Sequence, residues 1–193
     1  MCFLFKKVFP FQNVFPFLKS NNSLPAASMC PYNNTGYVSI GNACYFFGTV
    51  ELTFEGAKSF CSNKFGNQKG KLWEPKTIME TKQVYAKAKE VSKSQHWWIG
   101  VSDLQTEGTF RYESTGNIVH FAVKKAPWYR TEPNSAGGNE DCVAMNKDHP
   151  TWHDNRCLSK RYPICEQGKT NVLLVAVSKF AHYCNACKKR NTF

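Results

Sequence analysis

A chain of 193 residues that is 42% apolar, with five Trp and fifteen Phe, carries enough material for one packed domain of ordinary size. Its formal charge of +11 would suggest a nucleic-acid partner, yet residues 1–29 hold +3 of it and residues 167–193 hold +5, so the middle of the chain lacks the dense phosphate-gripping face such a binder needs. Nine cysteines, six of them between residues 30 and 165 in no repeated zinc-ligand spacing, point to disulfides and an oxidising compartment.

Residues 1–29 are Phe-rich with an early Lys6–Lys7 pair, and LPAAS (24–28) resembles a small-residue cleavage site. A secretory leader is the expectation, although Pro10, Gln12, Asn13 and Pro16 interrupt the apolar run, which fits a weak or anchored segment equally well. No run reaches the roughly 20 apolar residues of a membrane span. Asn21 and Asn33 head N-x-[ST] sequons, acceptors for glycosylation in a secreted chain.

In TFEGAKSFCSNKF (53–65), Phe54, Ala57, Phe60 or Cys61 and Phe65 recur at helical spacing, which predicts a first helix. TIMETKQVYAKAKEVS (77–92) spaces Ile78, Val84, Ala88 and Val91 for one buried stripe, with Pro75 and Thr77 as a start signal, which predicts a second. Beyond residue 95, HWWIGVSD, GTFRYES and NIVHFAV are short, aromatic and β-branched, separated by turn residues; they read as strands and long loops. Helices first and strands later, held by disulfides, is an α+β arrangement. Trp98 and Ile99 are expected in the core, and Gly100 at a close backbone approach.

Catalysis finds no support: there is no strained-turn nucleophile, phosphate-cradling glycine loop or HExxH step. His182, Cys184 and Cys187 of HYCNAC offer half a zinc motif, which reads more simply as a disulfide with each other or with Cys2, or as a disordered tail.

One stretch stands apart. EPNSAGGNEDC (132–142) gathers three carboxylates and two asparagines around a pair of glycines, either a solvated loop or a site for a hard cation, since calcium takes six to eight oxygens at about 2.3 to 2.6 Å.

Taken in order, CPYNN and ACYFF (30–47), FEGAKSFC (54–61), GKLWEP (70–75), WIGVSD (98–103), EGTF (107–110), EPN (132–134), NEDC (139–142), TWHDNRC (151–157) and PICE (163–166) resemble the C-type lectin-like domain in its long form. The resemblance spans residues 30–166, leaving 1–29 as leader or disordered segment and 167–193 as a basic tail. It implies two helices with short antiparallel sheets and a long calcium-binding loop region. Of the 15 ways to pair six cysteines, it implies Cys30–Cys44, Cys61–Cys165 and Cys142–Cys157.

The resemblance also implies a calcium and sugar site at Glu132, Asn134, Glu140, His153 and Asp154, with a cis Pro133 turning the flanking side chains to the ion. Two neighbouring hexose hydroxyls would give lone pairs to the metal and share hydrogen bonds with these carboxylates and amides. The order Glu-Pro-Asn implies the mannose, N-acetylglucosamine and fucose class. His153 departs from the family, which usually has Asn there, and imidazole suits zinc or copper better than calcium. Three outcomes follow: calcium held by the remaining oxygens with water and the Asp154 carbonyl, binding weakened or lost with His153 turned outward, or a transition metal preferred. Beside an ion, His153 would weaken binding as pH falls through roughly 6.5.

An auxiliary calcium position is implied at Asp103, Glu107, Glu140 and Asp141, with Ser135 where relatives have another Asp; as turn residues, Asp103 and Glu107 would simply be solvated. The implied protein is secreted and recognises glycans, for instance in innate immunity; the alternative is one of the same fold that binds a protein or mineral surface without calcium-dependent sugar binding. Trp128, Tyr129 and Arg130 would pack the loop base or stack on a sugar, with packing the better account of Trp128. Avidity requires several sites side by side, and with no heptad stalk or collagen-like repeat a homo-oligomer would form through the domain surface or the extra cysteines.

Overall fold

The computed structural model describes residue 30 and residues 36–65, 70–120 and 127–167. The expected leader, the two sequons, the HYCNAC tail and Phe121, Ala122 and Val123 of NIVHFAV therefore lie outside the described residues.

Both predicted helices form, the second within one residue of each expected end and the first stopping three residues short of its expected C-terminus. α1 spans Phe54–Ser62 and α2 spans Ile78–Val91. Each begins on a threonine in extended backbone whose hydroxyl accepts an N–H of the first turn, Thr53 from Gly56 and Thr77 from Glu80, satisfying a donor that the helix itself leaves unpaired. α1 buries Phe54, Ala57 and Cys61 as its spacing predicts. In α2 the buried stripe is Thr81, Val84 and Ala88, whereas Ile78 and Val91 are 40% and 47% exposed. The stripe expected there was too long, because residues at both helix ends face solvent.

Among the described residues eight strands form: β1 (Tyr37–Ile40), β2 (Ala43–Phe47), β3 (Gly70–Leu72), β4 (Trp97–Ser102), β5 (Arg111–Tyr112), β6 (Cys142–Met145), β7 (Trp152–Asn155) and β8 (Tyr162–Gln167). The expected order of helices before strands is thus corrected, because the β1–β2 hairpin precedes α1 and β3 lies between the helices. GTFRYES contributes only two strand residues, and Ile118 of NIVHFAV a single bridge to Arg111. The strands are ordered β1-β2-β8-β4-β6-β7, with β3 on β8 and β5 on β4. β8 lies parallel to β4; the other pairs are antiparallel.

β8 is central, so the last of the described strands closes on the β1–β2 hairpin. Gln167 pairs with both Cys44 and Gly70. The three expected disulfides, Cys30–Cys44, Cys61–Cys165 and Cys142–Cys157, are present.

Trp98 and Ile99 are fully buried, on opposite faces of β4 as alternation requires. Ile99 joins Trp73, Trp97, Trp152 and Val143, and Trp98 joins Phe54, Cys61 and Ala144. A Cβ on Gly100 would lie 2.8 Å from the Leu72 carbonyl oxygen and 2.9 Å from the Glu74 side chain, so this position has room for glycine alone.

Candidate functional site

The loop between β5 and β6 returns along the end of β7, and there the oxygen-rich residues converge. The Glu132–Pro133 peptide is cis. The next residues hang their backbone N–H groups on Asp154 of β7: Asn134 donates to its two oxygens at 3.0 and 3.2 Å, and Ser135 to Oδ2 at 2.7 Å. Ser135 itself has φ +44°, a left-handed conformation unusual without glycine. It starts a short 3-10 turn, Ala136–Gly138, from which the Ala136 N–H donates to Glu140 at 3.0 Å. The Asn134 side-chain amide donates to Glu132 at 2.8 Å.

Glu132, Asn134, Glu140 and Asp154 are thereby brought together. The Glu132 carboxyl is pushed up to about 8, first by burial, then by a hydrogen bond shared with Asp154 and by the charges of Asp154 and Glu140. Carboxylates held this close resist ionising together.

His153 does not join them. In β7 it is flanked by buried Trp152 and Asp154, so alternation sends its ring to the opposite face. There it meets the His96 ring edge-on, with centroids 4.8 Å apart. Burial, His96 and Arg161 lower its imidazole to about 4, so the ring stays neutral through pH 6.5. A loss of binding at that pH through His153 is therefore not expected from this placement.

A second acidic group adjoins the first. Asp103, at the end of β4, is 2% exposed; its Oδ2 accepts the Gly108 N–H at 2.8 Å, while Oδ1 is buried without a hydrogen-bond partner. Its backbone N–H donates to the Asp141 carbonyl. Burial raises its carboxyl to about 6, with Glu107 and Asp141 adding to the rise. Asp103 is thus no solvated turn residue, whereas Glu107 is exposed. Glu140 and Asp141, consecutive in sequence, link the two groups. As they stand, no three His, Cys, Asp or Glu side chains among the described residues enclose a metal-sized space; the N–H groups of Asn134, Ser135 and Ala136 hold the carboxylates, and an ion would have to draw them in.

Trp128 packs the loop base, its ring 4.8 Å from Phe110 and 5.8 Å from Trp152. Tyr129 stacks on His149 at 5.7 Å. Sequence reading missed the backbone donors of Ser135 and Ala136, since N–H direction leaves no mark on residue type.

Residues 50–167 match the Lectin C-type domain family. Perlucin from Haliotis laevigata is 25% identical over 144 residues, covering 72% of this chain and 83% of that protein. Human C-type mannose receptor 2 is 33% identical over 85 residues, 44% of this chain but 5% of the receptor's own length. The C-type carbohydrate-recognition domain of cow CD23, solved in the presence of a GlcNAc2Man3 oligosaccharide, superposes with a TM-score of 0.58 at 25% identity, covering 72% of this chain and 97% of that one. The fold and the loop thus define a C-type lectin domain. The chain belongs to the C-type lectin domain family, whose members are generally non-enzymatic binding proteins.

Proposed function

We propose that this chain is a secreted, calcium-dependent carbohydrate-binding module of the mannose, N-acetylglucosamine and fucose class, with no catalytic step. The observation that carries the reading is the convergence of Glu132, Asn134, Glu140 and Asp154 across the cis Glu132–Pro133 peptide. Three carboxylates and an amide are hard oxygen donors suited to calcium, and the repulsion that lifts Glu132 is what a divalent cation would relieve. Asp103, Glu107, Glu140 and Asp141 would hold the auxiliary ion, with the unpartnered Asp103 oxygen as one ligand. Vicinal hydroxyls of the sugar would complete the first ion's shell. The names of the relatives lean the same way, a mannose receptor and a carbohydrate-recognition domain. Three disulfides support an extracellular site of action, and no described helix is long and apolar enough to cross a membrane.

The competing reading, binding of a protein or mineral surface without sugar, draws on one observation: His153, where the family has a ligand, packs on His96 instead. Retention on mannose resin separates the two. The lectin is expected to bind in calcium and elute in EDTA; passage through the column in both conditions rejects the sugar-binding reading.

The carboxyl shifts give a pH dependence. Without metal, Glu132 keeps its proton up to about pH 8 and Asp103 up to about 6. Both values are raised, so their contribution to stability is full below the ordinary carboxyl range and is lost as pH rises through them. Calcium needs the ionised forms, so binding expels protons and tightens with rising pH, by up to about tenfold per unit for each proton released. Calorimetric titrations at pH 6, 7 and 8 should show this trend, unchanged in His153→Asn. A calcium affinity that ignores pH over this range would contradict it.

A further inference from the structure

The strand register assembles a second polar cluster on the sheet face turned away from Asp154. β6 and β7 pair Ala144 with His153 and Met145 with Trp152, and one step on, the Asn146 N–H donates to the Thr151 carbonyl at 2.7 Å. β4 and β6 pair Trp97 with Met145 and Trp98 with Ala144, so His96 falls on the Ala144 side. The Tyr162 N–H donates to the His96 carbonyl, which sets Arg161 beside His96. Alternation then gives His96, Asn146, Thr151, His153 and Arg161 one common face.

Four atoms of this cluster, His96 Nδ1, Thr151 Oγ1, His153 Nδ1 and Arg161 Nε, are buried without a hydrogen-bond partner. Buried polar atoms are seldom left so, and here they are neighbours. The His96 and His153 rings touch, and the charge of Arg161 acts on both, with Lys147 acting on His96 as well. Asp148 and Asp154 exert a weaker opposite pull on one ring each. The carbonyl of the Asn146 side chain is taken by the Asp148 N–H at 2.8 Å, which leaves its NH2 to donate. The Arg161 Nε–H, the Thr151 hydroxyl and imidazole N–H groups are donors too. A cation placed here would meet the Arg161 charge; an anion with several acceptor oxygens would meet that charge and the N–H and O–H groups these side chains can turn toward it.

We infer that His96, Thr151, His153 and Arg161 form a binding site for a sulfate- or phosphate-sized oxyanion, on the sheet face opposite the proposed calcium loop. All four residues are partly exposed while their unpartnered atoms are buried; a small anion, free or as an ester on a glycan, would reach those atoms by turning the exposed parts of these side chains aside.

Two-dimensional NMR of the full chain at constant pH tests this with sodium sulfate against sodium chloride of equal ionic strength. Sulfate is expected to shift the Arg161 Nε–H and both imidazole resonances saturably. Arg161→Gln should weaken sulfate binding by at least about tenfold and the near-isosteric Thr151→Val by a few fold, with retention on mannose resin unchanged in both, which keeps this site distinct from the calcium loop. In EDTA, which silences the calcium loop, N-acetylglucosamine 6-sulfate shifting these resonances at lower concentration than sulfate identifies a glycan ester as the source of the anion; equal or weaker binding identifies the free ion. Equal shifts in chloride and sulfate, or wild-type sulfate affinity in both variants, would mean that only water fills the cluster and would overturn the assignment.

Discussion

Replacing Asp154 by Asn is expected to weaken calcium binding by about 100-fold and to abolish calcium-dependent retention on mannose, while leaving the fold intact. Asp154 is 3% exposed on β7 and does two jobs in the proposed site. Its carboxylate would be a ligand, and it anchors the loop by accepting the Asn134 and Ser135 N–H groups. An amide in its place removes one negative charge and turns an NH2 toward at least one of those N–H donors. Calcium sites span several decades of affinity according to carboxylate count and rigidity, and this single change lowers both. Glu132→Gln tests the two contributions separately. Glu132 is partly exposed, and its Oε2 accepts the Asn134 side-chain amide, so this variant keeps the loop anchor and should cost about tenfold. Calorimetry with calcium, beside circular dichroism to verify folding, reads both. A calcium affinity for Asp154→Asn within twofold of the wild type would remove Asp154 from the site.

How far the residues alone reach depends on the kind of contact. Helical periodicity located α1 and α2 because one buried stripe every 3.6 residues leaves a mark in sequence, and Pro75 with Thr77 marked the start of the second. The hairpin strands β1 and β2 were missed: YVSI and ACYFF are separated by a two-residue turn, Gly41–Asn42, but their burial is uneven, so neither alternates cleanly. β3, three residues long, is below what period-2 reading resolves. Residue type singled out Glu132, Asn134, Glu140 and Asp154, which the fold brings together. It carried no sign of where His153 points, which is set by the pairing of β7 with β6 and by His96, 57 residues earlier in the chain. A family position indicates where a backbone passes; which face its side chain takes is decided by neighbours from other strands.

Removing the Cys61–Cys165 bridge by a double Ala substitution is expected to cost roughly 4 to 5 kcal/mol, enough to unfold a marginal domain at 37 °C. The bridge closes a separation of 104 residues and ties α1 to the central strand β8, which itself holds β2, β3 and β4. In the chain-entropy account the gain grows with loop length, so the Cys30–Cys44 and Cys142–Cys157 bridges, with separations of 14 and 15, should each contribute about 3 kcal/mol. Their local consequences differ from their global ones. Cys142 follows Asp141 directly and Cys157 lies three residues past Asp154, so that bridge pins the two ends of the proposed calcium site. Its removal should weaken calcium binding more than removal of Cys61–Cys165 does in protein that remains folded at low temperature. Guanidinium unfolding of the three double variants, with calcium titration of each at 10 °C, measures the two orders independently. Equal destabilisation by all three pairs would reject loop length as the controlling quantity, and unchanged calcium affinity without Cys142–Cys157 would show that the loop is held by Asp154 and its N–H donors alone.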